Sequence, residues 1–108
     1  MATSSKVTVG TKATIASAGT PVTPTQAPYD NTHTIIIYNP DSTNTVYAEF
    51  VASGDTLTAD TAMWIAPSGS LTLAIGAKSV RPPIGTLYFD ASAGTPTVRI
   101  TYVNGLSS

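Results

Sequence analysis

The stretch of sequence that decides the fold is residues 96–102, which read PTVRITY. In an extended chain, Val98, Ile100 and Tyr102 fall on one side and Arg99 falls on the other. Successive side chains of a β-strand point to opposite faces of the sheet. Strict alternation therefore predicts a strand with one buried face. Residues 70–75 (SLTLAI) and 86–90 (TLYFD) alternate in the same way and predict two more strands.

Two further stretches predict strands in the first half of the chain. Residues 45–51 (TVYAEFV) place Val46, Ala48 and Phe50 on one side and Glu49 on the other. Residues 34–38 (TIIIY) are apolar on both sides, which predicts a central strand or a strand covered by a partner. Residues 57–65 allow two readings, either a strand or one short helical turn around residues 59–62.

The connections between these stretches are short and rich in turn residues. Residues 39–44 (NPDSTN), 66–69 (APSG) and 81–85 (RPPIG) are all too short to hold the crossover helix that parallel strands need. Short strands at spacings of about ten residues are typical of an antiparallel β-sandwich. We therefore expect an all-β sandwich over residues 29–108, with immunoglobulin-like and jelly-roll topologies both open.

Residues 1–28 differ in character and are predicted to form an extended N-terminal arm or an edge hairpin. A hairpin would turn at Gly10-Thr11, and the prolines of residues 20–28 limit ladder formation there. So few large apolar side chains hardly offset the entropy of ordering the backbone. We expect contact with another subunit to order the segment, with a hairpin on its own sandwich as the alternative. Those apolar side chains are Val7, Val9, Ile15 and Val22.

Composition narrows the classes of function. The 108 residues fit one domain, and only 10% of them are charged, against about 25% in an ordinary globular protein. A net charge of -1 argues against a nucleic-acid partner. No apolar run approaches the roughly 20 residues that span a bilayer, and the N-terminus lacks a signal-peptide pattern, so we expect no membrane partner. Cysteine is absent, which removes disulfides and thiolate chemistry.

No set of residues predicts catalysis, a cofactor or a metal. His33 is the single histidine, and a nucleophilic triad would need it beside Asp30 or Asp90 without any Gly-x-Ser-x-Gly turn. A glycosidase would need Glu49 to face Asp90 across a groove, whereas a solvated strand residue is the simpler interpretation of Glu49. Asp41 and its neighbours predict a turn, because a calcium loop needs further ligands. We expect no enzyme.

The surface predicts contacts with other chains. A charge-poor exterior rich in hydroxyls and methyls, with 19 threonines, is typical of a protein whose faces are covered by neighbours. Trp64 is expected in the core, and an interface anchor is the alternative, because strand parity separates it from Met63 and Ile65. The protein is therefore expected to form a homo-oligomer. The predicted interface residues are Val7, Val9, Ile15, Val22, Met63 and Trp64.

Residues 35–47 (IIIYNPDSTNTVY) resemble the strand–turn–strand of small virion proteins of tailed bacteriophages. Residues 65–73, 85–91 and 94–100 continue the resemblance in the same order, so that it covers about residues 30–103. The resemblance implies a β-sandwich that binds the outside of an assembled capsid as a dimer or trimer. Such a decoration (cement) protein contacts the major capsid protein and stabilises contacts between capsomers. It implies synthesis in the host cytoplasm and a final location on the virion surface.

Other functions stay open beside this one. Within the same class, the chain could be a head–tail connector or a tail accessory protein. From a different class, it could be a carbohydrate-binding or adhesion module, with Trp64 and the tyrosines supplying the stacking surface. Those tyrosines are Tyr29, Tyr38, Tyr47, Tyr88 and Tyr102. The resemblance transfers no functional residue, because proteins of this kind share no active site.

Overall fold

A computed structural model of the protein describes residues 7–76, 78–79 and 83–105. These residues form seven β-strands and no α-helix, and the strands make two antiparallel sheets. The four-stranded sheet has the order β1-β7-β2-β5, and the three-stranded sheet has the order β4-β3-β6. The predicted all-β antiparallel sandwich is confirmed. The strands are β1 Thr8–Thr14, β2 Thr32–Tyr38, β3 Val46–Val51, β4 Met63–Ile65, β5 Ser70–Ala74, β6 Thr86–Ala91 and β7 Thr97–Asn104.

The core lies between the two sheets and follows the predicted alternation. In β7, Val98, Ile100 and Tyr102 are buried, while Arg99 between them is exposed. The central strand predicted around Ile36 is β2, which pairs with β7 on one side and β5 on the other. Burial of this apolar surface is the main favourable term in folding. The other fully buried large apolar side chains are Ile15, Ile35, Ile37, Val46, Ile65 and Phe89.

Residues 57–65 contain both of the structures that the sequence left open. The N–H of Ala62 donates to the carbonyl of Thr58 at 3.0 Å, which closes one helix-like turn. The chain then straightens into β4, a three-residue edge strand that pairs with β3. Leu57 packs inward ahead of the turn and is 7% exposed.

The hairpin predicted at Gly10-Thr11 is wrong. β1 runs through Gly10 without turning and pairs with β7 from Thr8, opposite Val103, to Thr14, opposite Thr97. Val9 and Ala13, on either side of the predicted turn, are both inward positions of this one strand. Pairing with β7 over seven residues aligns these positions with the core.

The rest of the N-terminal segment crosses from one sheet to the other and back. The Ile15 N–H donates to the carbonyl of Pro96 at 3.0 Å, beside β7. Val22 then exchanges two hydrogen bonds with Phe89, of 2.9 and 2.8 Å, along the outer edge of β6. The Thr25 N–H donates to the carbonyl of Lys12 at 2.8 Å, back at the edge of β1. The segment therefore closes the side of the sandwich where β1 and β6 end the two sheets.

This path corrects the expectation that another subunit orders the segment. Residues 7–28 are held by their own sandwich, although as a strand and an irregular crossing rather than a hairpin. The expectation failed because it weighed apolar side chains and left out backbone hydrogen bonds to strand edges. Residues 1–6, which belong to the same predicted arm, lie outside the described residues.

Tyr102 fixes the crossing segment to the core. Its ring is fully buried, and its hydroxyl donates to the carbonyl of Gln26 at 2.5 Å. Tyr29 meets the ring edge to face, with ring centroids 6.3 Å apart. Burial raises the pKa of Tyr102 well above its usual value near 10, and the neighbouring Tyr29 adds to the shift.

We expect Tyr102→Phe to lower the free energy of unfolding by about 1–2 kcal/mol at neutral pH, because one buried hydrogen bond is lost while the ring stays. The pH dependence supplies a second readout. The raised pKa means that the folded state keeps the proton after the unfolded chain has lost it, so wild-type stability falls above pH 10. Urea unfolding between pH 7 and 11 should show the deficit of the variant shrinking as pH rises. A constant deficit across that range would contradict the assignment.

Asn39 joins the two sheets at one end of the sandwich. It follows β2 directly, is completely buried, and its Nδ2 lies 2.8 Å from the carbonyl of Asn44. The same Nδ2 is 3.1 Å from the carbonyl of Ile65 and 3.2 Å from that of Ala66, at the end of β4. Oδ1 accepts from the N–H of Asp41 at 3.0 Å. One side chain thus connects the β2–β3 loop to the β4–β5 loop.

Asp41 orders the rest of the β2–β3 loop. Its Oδ1 accepts from the N–H groups of Asn44 at 2.9 Å and Thr43 at 2.7 Å, and its Oδ2 accepts from Asn44 Nδ2 at 3.2 Å. The Asn44 and Thr43 N–H groups, with the Asn44 amide, lower the pKa of Asp41 because they bind its charged form. The predicted turn is confirmed, with its acceptor identified.

Replacing Asn39 should reduce stability more than its size suggests. Asn39→Ala leaves buried carbonyls without a donor, and we expect a loss of about 2–4 kcal/mol in urea unfolding. Asn39→Asp keeps the shape but places an acceptor against those carbonyls, so the loss should be at least as large. Ser42→Ala, at an exposed position of the same loop, is the control and should change stability by less than about 0.5 kcal/mol. A mild effect of Asn39→Asp would show that donation by the amide is unimportant.

Candidate functional site: an exposed aromatic surface

Trp64 lies on the outer face of the three-stranded sheet. It is the middle residue of β4, between Met63 and Ile65, whose side chains point inward. The indole is 65% exposed, the highest value among the large apolar side chains described. The expectation that Trp64 belongs to the core is therefore wrong. Strand parity, which had placed Trp64 opposite Met63 and Ile65, was the correct signal.

The indole is held in a fixed position although it is exposed. Its Nε1 donates to the carbonyl of Ala59 at 2.7 Å. Its ring packs against Tyr47, the paired residue on β3, with centroids 5.7 Å apart and planes inclined by 57°. We call Trp64 and Tyr47 the aromatic surface. A side chain that is already held in place loses little conformational entropy on binding, and in this sense the aromatic surface is preorganised.

Glu49 stabilises the turn to which the Trp64 indole is hydrogen-bonded. Its Oε1 accepts from the N–H of Thr58 at 3.1 Å, and its Oε2 accepts from the hydroxyl of Thr61 at 2.6 Å. These bonds fix the turn that contains Ala59, the acceptor of the Trp64 indole. The sequence suggested a solvated strand residue, whereas the carboxylate is a loop acceptor. Only the fold could reveal this, because Glu49 and Thr61 are twelve residues apart.

The tyrosines proposed as a stacking surface do not lie on one face of the sandwich. Tyr47 adjoins Trp64, and Tyr88 lies on the same outer face, opposite Glu49. Tyr38 is exposed on the other sheet, and Tyr29 packs against the buried Tyr102. Only Tyr47 makes a ring contact with Trp64 among the described aromatic pairs.

The predicted interface residues do not form one surface. Val7 is 48% exposed next to the end of β7, to which its carbonyl is bonded. Val9, Val22 and Met63 are partly buried, and the last two pack against the core. Ile15 is fully buried inside its own chain and offers no surface to a partner. Trp64 is the member of the set best placed to anchor a contact.

The polar residues weighed for chemistry are dispersed. His33 is exposed, with Nδ1 3.0 Å from the hydroxyl of Thr34. Asp30 pairs with Lys78 at 3.4 Å. Asp90 is 8% exposed and accepts from the N–H groups of Gly19 and Ala91. The described residues contain no group of three or more His, Asp or Glu side chains that could hold a metal ion.

The comparisons with known proteins add no relative. No protein-family model, curated protein or solved structure matches this chain. The described part of the chain also contains no helix long and apolar enough to cross a membrane. What the geometry defines is therefore a class: an antiparallel β-sandwich with a preorganised aromatic surface on one outer face.

Removing the support beneath the aromatic surface should loosen the turn without unfolding the protein. We expect Glu49→Ala to cost about 1–2 kcal/mol, since two hydrogen bonds to a carboxylate are lost at a partly exposed position. Hydrogen exchange at the Thr58 amide should accelerate at least tenfold, while exchange in β7 changes only with global stability. Asp60→Ala, which removes an exposed carboxylate from the same turn, is the matched control. Equal exchange rates at Thr58 in the two variants would refute the role of Glu49.

Proposed function

We propose that the protein is a structural subunit of a phage particle, a decoration protein that binds the outside of the capsid and stabilises contacts between capsomers. The single observation that carries the proposal is the aromatic surface, an exposed Trp64 held in place by Ala59 and Tyr47. Tryptophan and tyrosine, together with arginine, are enriched among the energetic anchors of protein interfaces. The resemblance of residues 30–103 to small virion proteins directs the proposal to a phage particle.

The surroundings of the aromatic surface support a protein partner. Trp64 and Tyr47 meet at 57°, so their exposed faces form a wedge rather than a flat strip. A wedge accepts a protruding side chain or loop of the major capsid protein. Tyr47 is flanked on this face by Glu49 and by Asp90, its partner on β6, and both carboxylates are already occupied by hydrogen bonds within the chain.

The strand edges support self-association into a dimer or trimer. The N-terminal segment covers the side where β1 and β6 end the sheets, whereas β4 and β5 end the sheets on the opposite side. β5 reads SLTLA and carries neither a charge nor a proline, the two devices that usually protect an edge from pairing with another chain. We propose that the contact between copies forms at β5, the uncovered edge of the four-stranded sheet.

A carbohydrate-binding module is the second candidate, and the same observation favours it. An exposed indole that is already fixed can stack on the apolar face of a sugar ring. The wedge counts against a long polysaccharide, because successive sugar rings need stacking residues in one plane. A head–tail connector or tail accessory protein is the remaining alternative within the phage class, and copy number distinguishes it.

The proposal is tested by adding purified protein to capsids that lack it. We expect wild type to bind in many copies per capsid and to raise the temperature at which the capsid disassembles. Trp64→Ala should weaken binding at least tenfold, because it removes the central anchor. Tyr38→Ala, which removes an exposed aromatic from the other sheet, is the matched control and should bind within twofold of wild type.

Three results would overturn the proposal. A handful of copies per particle would indicate the connector or tail accessory protein. Absence from purified particles by mass spectrometry would exclude decoration. Binding to a glycan array that is lost in Trp64→Ala, without capsid binding by wild type, would establish the carbohydrate-binding module.

A further inference from the structure

A groove on the opposite outer face carries two cations, neither of which forms an ion pair with a described residue. It has a volume of about 530 Å³. It lies over the edge of the four-stranded sheet, where the edge strand β1 pairs with β7. Lys12 and Arg99 line it, together with Thr25 and Thr101. This groove lies on a different sheet from the aromatic surface.

Lys12 and Arg99 stand directly opposite one another on neighbouring antiparallel strands. Like charges in such a pair repel and destabilise the sheet. None of the four strands of this sheet contains an Asp or Glu that could compensate. The one ion pair within residues 7–76, 78–79 and 83–105 joins Lys78 to Asp30. Charged residues make up only 10% of the chain, yet two of like sign are paired here, and no described ion pair compensates their repulsion.

Gly10 opens the groove at its centre. It lies in the middle of β1, opposite Thr101. Its position in the strand belongs to the same face of the sheet as Lys12, two residues later. Glycine weakens a strand interior and often marks a place where a ligand approaches the backbone closely. The fold gives no other reason for glycine here, because Gly10 is not among the residues with positive φ and a Cβ would meet no atom within 4 Å.

We propose that this groove binds an oxyanion, a phosphate or sulfate group, between Lys12 and Arg99. A guanidinium and an ammonium together match the charge of a dianion, and Arg presents a fork of N–H donors to its oxygens. The hydroxyl-bearing Thr25 and Thr101 border the same space, so the lining offers enough donors for a tetrahedral group. The missing side chain at Gly10 leaves room for it. The group is either a free ion or one carried on a sulfated polysaccharide.

The test titrates full-length protein with four probes: inorganic phosphate, inorganic sulfate, a sulfated hexasaccharide and its desulfated counterpart. Amide shifts of Gly10, Lys12 and Thr101 report on the groove. We expect saturable shifts there with the sulfated probes and phosphate, none with the desulfated sugar, and weaker binding as sodium chloride is raised. Tighter binding of the hexasaccharide than of free sulfate identifies the polysaccharide as the source, and equal binding identifies the free ion.

The variants separate the charge from the shape of the groove. Lys12→Gln and Arg99→Gln should each weaken binding at least tenfold. Without ligand they should also raise the melting temperature by about 1–4 °C, because the repulsion is relieved. Gly10→Val keeps both charges and fills the groove, and it should abolish binding. Lys78→Gln removes an exposed lysine outside the groove and is the matched control. Unchanged affinity in Arg99→Gln, or no saturable shift with any probe, would overturn the proposal.

Discussion

The two sheets share no hydrogen-bonded strand, so their relative position depends on the core between them and on the few connections that join their edges. At one end, the buried amide of Asn39 holds the end of β2 against the end of β4. Along one side, Val22 and Thr25 attach the N-terminal segment first to β6 and then to β1. A small sandwich buries a modest core, and buried backbone groups at its margins need partners. These connections provide them and leave the β4–β5 side as the open one.

Side-chain alternation predicted the parts of the fold in which one face of a strand is buried. β6 and β7 were located to within two residues, because Leu87, Phe89, Val98, Ile100 and Tyr102 repeat with period two along a core-facing strand. The N-terminal segment was not located, since backbone donors order it and every sequence carries these donors. Gly10 predicted a turn because glycine is common in turns. Its place in mid-strand follows from pairing with Thr101 of β7, which lies 91 residues later in the chain.

The sequence predicted that Trp64 faces away from Met63 and Ile65 but not the contacts that hold it in place. Because side chains alternate along a strand, Trp64 was expected on the face opposite to Met63 and Ile65. One of these two faces therefore had to lie outside the core. Two contacts could not be predicted: the hydrogen bond from the indole to Ala59, and the hydrogen bond from Thr58 to Glu49. Both depend on the single helix-like turn that precedes β4. Asn39 is a similar case. Its neighbours in sequence indicated a turn, but its acceptors at Ile65 and Ala66 become visible only when β4 is placed beside β2.

Three of the six carboxylates of the chain share one physical role. The carboxylates of Asp41, Glu49 and Asp90 accept hydrogen bonds from backbone N–H groups, and each orders a loop or a crossing segment. None of these three carboxylates lines the groove of Lys12 and Arg99 on the four-stranded sheet. The charge of that sheet is therefore directed outward, towards a ligand.

The two surfaces lie on opposite outer faces of one sandwich, separated by the whole core. Interactions at separated sites without shared partners add independently. Occupation of the aromatic surface by a large partner leaves the groove of Lys12 and Arg99 open, because the covered face belongs to the other sheet. Ligands bound at the two surfaces would not compete for the same residues. The packed core between the two sheets separates these two surfaces.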